Sequence, residues 1–310
     1  MENVTSVKTF ILLGFSNAPH WQILFFVIFL CIYIATVLGN LLIIVLINVD
    51  SALSTPMYFF LRNLSFLEIC YTSVTIPKLL DNILARDKTI SLHACATQMY
   101  FFLFFGATEC CLLAFMAYDR YVAICNPLCY PVIMRKSVCV QLAALSWTCG
   151  SLVAVGHTTF IFTLPFCDSN VINHFFCEIQ PVLKLVCGDT YWNEIQIIGA
   201  AAFVILMPFM LILLSYFHII ATILRMKSAK SQQKAFSTCS SHLIVVSLFY
   251  GTAIFIYIRP KSSYSLNVDK LLSLFYSVIT PILNPIIYSL RNKDVKKALK
   301  RTVLKLMSSK

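Results

Sequence analysis

Seven long apolar blocks, joined by short polar connections, decide what this chain can fold into. Ile23 to Ile47 holds no charged residue and exceeds the roughly 20 residues needed to cross a bilayer. Comparable blocks run over residues 57–84, 95–124, 138–162, 195–224, 243–258 and 271–290. Hydrocarbon offers no partner to backbone N–H and C=O groups, so each block must be helical. Charged residues make up 12% of the chain, against about 25% in soluble domains. The expectation is an all-α membrane protein: a seven-transmembrane helix bundle with a short amphipathic C-terminal helix. It forms one domain over 1–310, with 1–21 as an external N-terminus, 22–290 as the bundle and 291–310 as a cytoplasmic helix and tail. The sixth block has the shortest apolar stretch, and Ser237, Thr238, Ser240 and Ser241 extend it by bonding back along the helix.

Lysine and arginine distribution orients the bundle. With seven spans the two ends face opposite sides, and the bases divide 16 against 8 in favour of the side that receives the C-terminus. That side is therefore the cytoplasm, and the plasma membrane is the expected location. The net charge of +11 reflects topology and attraction to anionic inner-leaflet lipid, and it does not call for nucleic acid. Asn3-Val4-Thr5 is a glycosylation sequon on the outer side. No cleavable signal peptide stands out in residues 1–20, so the first span serves as the insertion signal.

Thirteen cysteines sort by compartment. Cys95, Cys167, Cys177 and Cys187 face the oxidising side and can form two disulfides, with three pairings open. Most of the others are small apolar fillers of helices. Paired zinc-type spacing is missing, so neither a metal cluster nor a cofactor is expected.

Chemistry concentrates where an apolar run meets charge. Met116-Ala117-Tyr118-Asp119-Arg120-Tyr121-Val122-Ala123-Ile124-Cys125 places an acid and a base at the inner end of the third span. Charges so near hydrocarbon are costly and are kept mainly for function. Pro281-Ile282-Leu283-Asn284-Pro285-Ile286-Ile287-Tyr288 ends the seventh span, Pro56-Met57-Tyr58-Phe59-Phe60-Leu61 opens the second, and Lys234-Ala235-Phe236-Ser237-Thr238-Cys239-Ser240-Ser241-His242-Leu243 opens the sixth. Together these segments resemble the signature of vertebrate odorant receptors, a branch of the rhodopsin-like G-protein-coupled receptors. The resemblance covers essentially the whole chain.

That resemblance implies pairing of Cys95 with Cys177 and of Cys167 with Cys187. It implies an activation switch built on Asp119, Arg120, Tyr121, Tyr216, His242, Asn284, Pro285 and Tyr288, in which Arg120 meets Tyr216 and Tyr288 in the active state. Its partners would be a small volatile odorant, a stimulatory olfactory G protein that raises cyclic AMP, and the bilayer, in the cilia of olfactory sensory neurons. Glu68 and Glu109 are two carboxylates in a dry site that cannot both ionise cheaply. They share a proton, bind a cation such as sodium, or hydrogen-bond Asn284. His157 and His218 are single and receive no role.

The family's pocket lies in the outer half of spans three, five, six and seven. One register gives Phe102, Leu103, Gly106, Ala107 and Cys110 on span three, and Ala200, Ala201 and Val204 on span five. Tyr250, Ala253, Ile254 and Tyr257 follow on span six, and Leu274, Ser277 and Val278 on span seven. This set holds no carboxylate to bind an amine and few hydroxyls. The expected ligand is mostly apolar and is oriented by hydrogen bonds from Tyr257 or Ser277, with small residues leaving room for bulk. A transporter would call for polar residues along a path and repeated halves. An enzyme would need a catalytic dyad. Neither pattern is evident. A receptor for an internal small molecule is the nearer alternative.

Overall fold

The computed structural model describes residues 7–14, 21–167, 170–188, 190–257, 266–291 and 293–308. Its long helices are α1 (Gln22–Val49), α2 (Pro56–Leu84), α3 (Leu92–Cys125), α4 (Lys136–Phe162), α5 (Tyr191–Arg225) and α6 (Ala229–Tyr257). Helix α7 comprises Leu266–Leu274, a π-helical turn at Phe275–Ile279, and Thr280–Arg291; α8 is Lys293–Ser308. Six of these helices are long and apolar enough to cross a membrane. Of the other two, α8 has only 16 residues, whereas α2 has 29, or roughly 43 Å at 1.5 Å per residue, so length is not the limit of α2. Polar residues lower its hydropathy, and Ser65, Glu68, Thr72 and Thr75 among them are buried inside the bundle. By contrast, α1 leaves Ile23, Leu24, Val27, Ile34 and Leu38 facing outward, the surface hydrocarbon would cover.

Local sequence fixes the helix ends. Pro56 occupies the first turn of α2, where a missing N–H costs nothing. Ser91 caps α3 by accepting from the Ala94 N–H at 3.2 Å. Helix α3 is central and packs against α2, α4, α5 and α6. At its crossing with α4, Gly150 lies against Thr108 and the Phe104 carbonyl, so a Cβ there would sit 2.6 Å from that oxygen. Small residues let membrane helices approach this closely.

One end of the bundle carries a cover that the all-α expectation does not include. β1 (Thr9–Leu12) lies between β2 (Thr89–Ser91), antiparallel, and β3 (Val171–Ile172), parallel. Phe10 and Leu12 alternate inward and are fully buried against Ile90, Ile172 and Phe166. Cys95 is bonded to Cys177, and Cys167 to Cys187, joining the same loop to α3 and to itself. At the opposite end α8 buries Val295 and Ala298, and its Arg301 meets Asp50, just after α1, at 2.8 Å. Asn3 lies outside the described residues.

Candidate functional site

A cavity of about 90 Å³ lies under the loop that follows Cys177. One water needs roughly 10–15 Å³, so a small organic molecule fits. Helix α3 contributes Phe102, Leu103, Gly106, Ala107 and Cys110. Ala201 and Val204 come from α5, and Ala253 from α6, with Ile197, Ile205 and Phe249 beside them. Tyr71, Val153, His157, Ile179 and Tyr276 complete the lining. Tyr71 stacks on Phe102 at 5.2 Å, and Phe102 meets Tyr276 at 5.7 Å. These rings take up the room that glycine and alanine leave, so the cavity is small rather than bulky.

Ala200, Ile254, Leu274, Ser277 and Val278 do not line this cavity. The π-turn explains the shift on α7. Its wider turn rotates the register, so Tyr276 reaches the cavity while the Ser277 hydroxyl donates to the Ser273 carbonyl at 2.5 Å. On α6, Phe249 lines the wall, and Tyr250 instead donates to the Cys110 carbonyl at 2.9 Å. The side chains of Tyr257 and Tyr288 lie outside the described residues. The α4 wall, with Val153 and His157, falls outside an expectation confined to four spans.

A buried hydrogen-bond chain joins the loop to α7 beside the cavity. The Phe176 N–H reaches His174 Nδ1 at 3.4 Å, which leaves the proton of the neutral ring on Nε2, 3.2 Å from Ser273 Oγ. Ser273 donates to Glu178 Oε2 at 3.2 Å, and Tyr276 donates to Glu178 Oε1 at 2.7 Å. Burial pushes His174 down to about 3, and nearby Lys270 pushes the same way. Lys270 itself donates to the Gly14 carbonyl at 2.9 Å, tying the N-terminal segment to α7.

The Arg120 end holds a second constellation. His242 is fully buried between α3 and α5. Its Nε2 faces the Leu113 carbonyl at 3.1 Å, and a carbonyl only accepts, so Nε2 carries the proton. Nδ1 then accepts from the Tyr216 hydroxyl at 2.8 Å. Asp119 is buried and accepts from Tyr130 at 2.8 Å, whereas Arg120 Nε stands 4.0 Å from it. Tyr130 lies in the short helix after α3, and its phenol is pushed upward, first by burial and then by the Asp119 charge. Tyr121 packs near His218, ring centroids 5.8 Å apart.

Midway between the two ends, Glu68, Glu109 and Asn284 meet. Asn284 donates to Glu68 Oε1. Glu68 Oε2, Glu109 Oε1 and Asn284 Oδ1 are buried without a hydrogen-bond partner. They come from α2, α3 and α7, and a proton shared by the two glutamates would make one carboxyl a donor to the other. Pro285 follows and packs near Gly39 of α1. Among the described residues no group of three His, Cys, Asp or Glu side chains is arranged to hold a metal.

Residues 29–306 match the family model described as "Olfactory receptor". The chain is 64% identical to human olfactory receptor 10C1, covering 98% of this chain and 97% of that protein. It is 58% identical to human olfactory receptor 10A7, over 97% and 96%, and 57% identical to human olfactory receptor 10A4, over 99% and 98%.

Proposed function

Because the chain belongs to the olfactory receptor family, we propose that it binds a small, mostly apolar volatile in the cavity under Ile179 and activates a stimulatory olfactory G protein, raising cyclic AMP. It is a multi-pass membrane receptor and not an enzyme. The whole chain acts as one receptor domain, with its N-terminus and Asn3 outside and its C-terminus in the cytoplasm. The plasma membrane of sensory cilia is its place of work.

The observation that carries this reading is that the cavity and the His242 bridge share the same two helices. A ligand touches Cys110 of α3 and Phe249 and Ala253 of α6. Between the ligand and the bridge, Tyr250 bonds the Cys110 carbonyl. Farther along, His242 spans Leu113 and Tyr216. A ligand that displaces α6 from α3 strains these bonds. Their release frees Tyr216 to meet Arg120, opening a cleft edged by the basic stretch 225–234. Energetically, the ligand need only bind the open state more tightly than the closed one.

The test is cyclic AMP in cells that express the chain with the olfactory G protein, across a broad panel of volatiles. Arg120→Ala runs alongside, with surface expression measured for both. A response that vanishes in the variant is the expected result. A well-expressed receptor that neither signals nor recruits the G protein would remove the coupling assignment.

A further inference from the structure

Among the described residues, the lining of the ligand cavity is buried on every side but one. Tyr71, Phe249, Ala253 and Tyr276, from α2, α6 and α7, and Ile179 of the loop are all buried. The half-buried members lie along the seam between α4 and α5: Leu103 and Gly106 of α3 at its floor, Val153 and His157 of α4, and Ala201 and Val204 of α5. Both α4 and α5 pack along α3, yet they hardly approach one another. Val153 and Ala201 each sit about 14 Å from the outer end of their helix at 1.5 Å per residue, so the seam meets hydrocarbon there. His157, the polar member of its edge, bonds back to the Val153 carbonyl through Nδ1 at 2.9 Å. Toward the cytoplasm the same seam widens into a groove of about 510 Å³ between Leu142 of α4 and the exposed Leu211 and Leu214 of α5. The way in from water is different. An outer pocket of about 310 Å³ adjoins the cavity and shares Ile179 and Ile197 with it. These two side chains are 3% and 5% exposed, and the outer pocket is edged by Gln180, Lys184 and Glu194.

We infer that the receptor takes its ligand from the bilayer: small apolar molecules dissolved in hydrocarbon enter the cavity sideways between α4 and α5, past Val153 and Ala201, and not from the water above. This deepens the receptor reading given above and rests on it for the role of the cavity. The ligand class is then set first by partition into the membrane. Each added methylene raises the concentration in hydrocarbon by about fourfold, so an apolar volatile gathers at the seam well above its level in water. A permanently charged analogue is kept out of hydrocarbon and has no such path. The outer pocket, with its polar edge and its wall of two isoleucines, offers an apolar molecule no comparable route.

Access is read as the rate at which Cys110, in the cavity lining, is modified in the full chain held in lipid nanodiscs. Two reagents of one chemistry serve as probes: neutral methyl methanethiosulfonate, which enters hydrocarbon, and its trimethylammonium-ethyl analogue, whose fixed charge keeps it in water. Cys31, exposed within the α1 span, is the reference thiol in the same sample, because only hydrocarbon covers it. Peptide mass spectrometry follows both cysteines. The neutral reagent should modify Cys110 alongside Cys31, and the charged one should modify neither. Ala200 lies one turn before Val204 on the same edge of α5 but outside the cavity lining, so Ala200→Trp should narrow the seam without filling the cavity. It should slow modification of Cys110 by about tenfold, as a modest added barrier does, and leave Cys31 unchanged. Val153→Trp, from the opposite edge, should act the same way and guards against a folding defect in the first variant. Ile198→Trp fills the outer pocket instead and should change nothing. Modification of Cys110 by the charged reagent, Cys110 spared by the neutral one while Cys31 reacts, or slowing that fails to single out the seam variants would overturn the proposal. The labelling does not depend on G-protein coupling, so this pattern in a receptor that raises no cyclic AMP would uphold the route and count against the coupling assignment alone.

Discussion

Asp119 and Arg120 draw attention first in the sequence, yet in the structure Asp119 makes its close bond with Tyr130 and stands 4.0 Å from Arg120. Adjacent helical residues do not face one another, so a tight pair between them was never available to the backbone. The partner came from a short helix whose position depends on tertiary packing, and no local signal could name it. His242 was more legible, because its segment is part of the family signature. The tautomer argument now gives it a definite job: holding α3 and α5 through Leu113 and Tyr216. A buried hydrogen bond is worth a net 0.5–1.5 kcal/mol, so losing it moves a two-state equilibrium by up to about tenfold. His242→Ala should therefore raise ligand-free cyclic AMP several-fold per receptor at the surface, and adding Arg120→Ala should abolish the rise. Basal signal that stays level at equal surface density would mean that His242 only packs.

Among the elements, the helices were readable and their rotation was not. Helix length follows from the apolar blocks. Which face meets the cavity depends on features such as the π-turn at Phe275–Ile279, which carries Tyr276 to the cavity. The α3–α4 crossing is similar, since nothing in the sequence around Gly150 reveals that a carbonyl lies in its path. Gly150→Ala should lower the melting temperature in detergent by an amount equivalent to about 1–3 kcal/mol, the usual range for overpacking. Gly156→Ala, on the same helix with nothing within 4 Å of the new Cβ, should be neutral or slightly stabilising. Equal effects would place the cost in α4 itself rather than at the crossing. The cover loop yields a prediction in pH. His174 titrates near 6.5 when unfolded and is held down to about 3 when folded. Below 6.5 the unfolded chain gains a proton that the folded one refuses, so stability present above pH 6.5 is lost as pH falls toward 3. Thermal unfolding at pH 7.5 and pH 5 should show this loss, and His174→Gln should reduce it. An identical drop in the variant would assign it to other groups.

At the scale of the whole molecule, the bilayer does much of the specifying. A fixed hydrocarbon thickness sets the span lengths, which is why the bundle was legible while the small sheet over its end was not. The sheet is carried by four residues, Thr9–Leu12, whose alternation is too brief to stand out. The midpoint where α2, α3 and α7 meet is the other place where the whole fold must be known. Glu68, Glu109 and Asn284 come from distant sequence positions, yet Asn284 bonds Glu68 and the two carboxylates interact. Two carboxylates so buried need a positive charge between them, either a proton or a cation. A sodium ion, a hard cation satisfied by oxygens, fits the set when both carboxylates are ionised. Held between three helices, it would favour the closed bundle by mass action, with a gain that grows with concentration relative to its dissociation constant. Replacing choline chloride by sodium chloride at fixed ionic strength should then raise the melting temperature and depress ligand-free cyclic AMP. Glu68→Gln and Glu109→Gln should each flatten both responses. Identical behaviour of the wild-type receptor in the two salts would exclude sodium and leave a shared proton as what holds the carboxylates together.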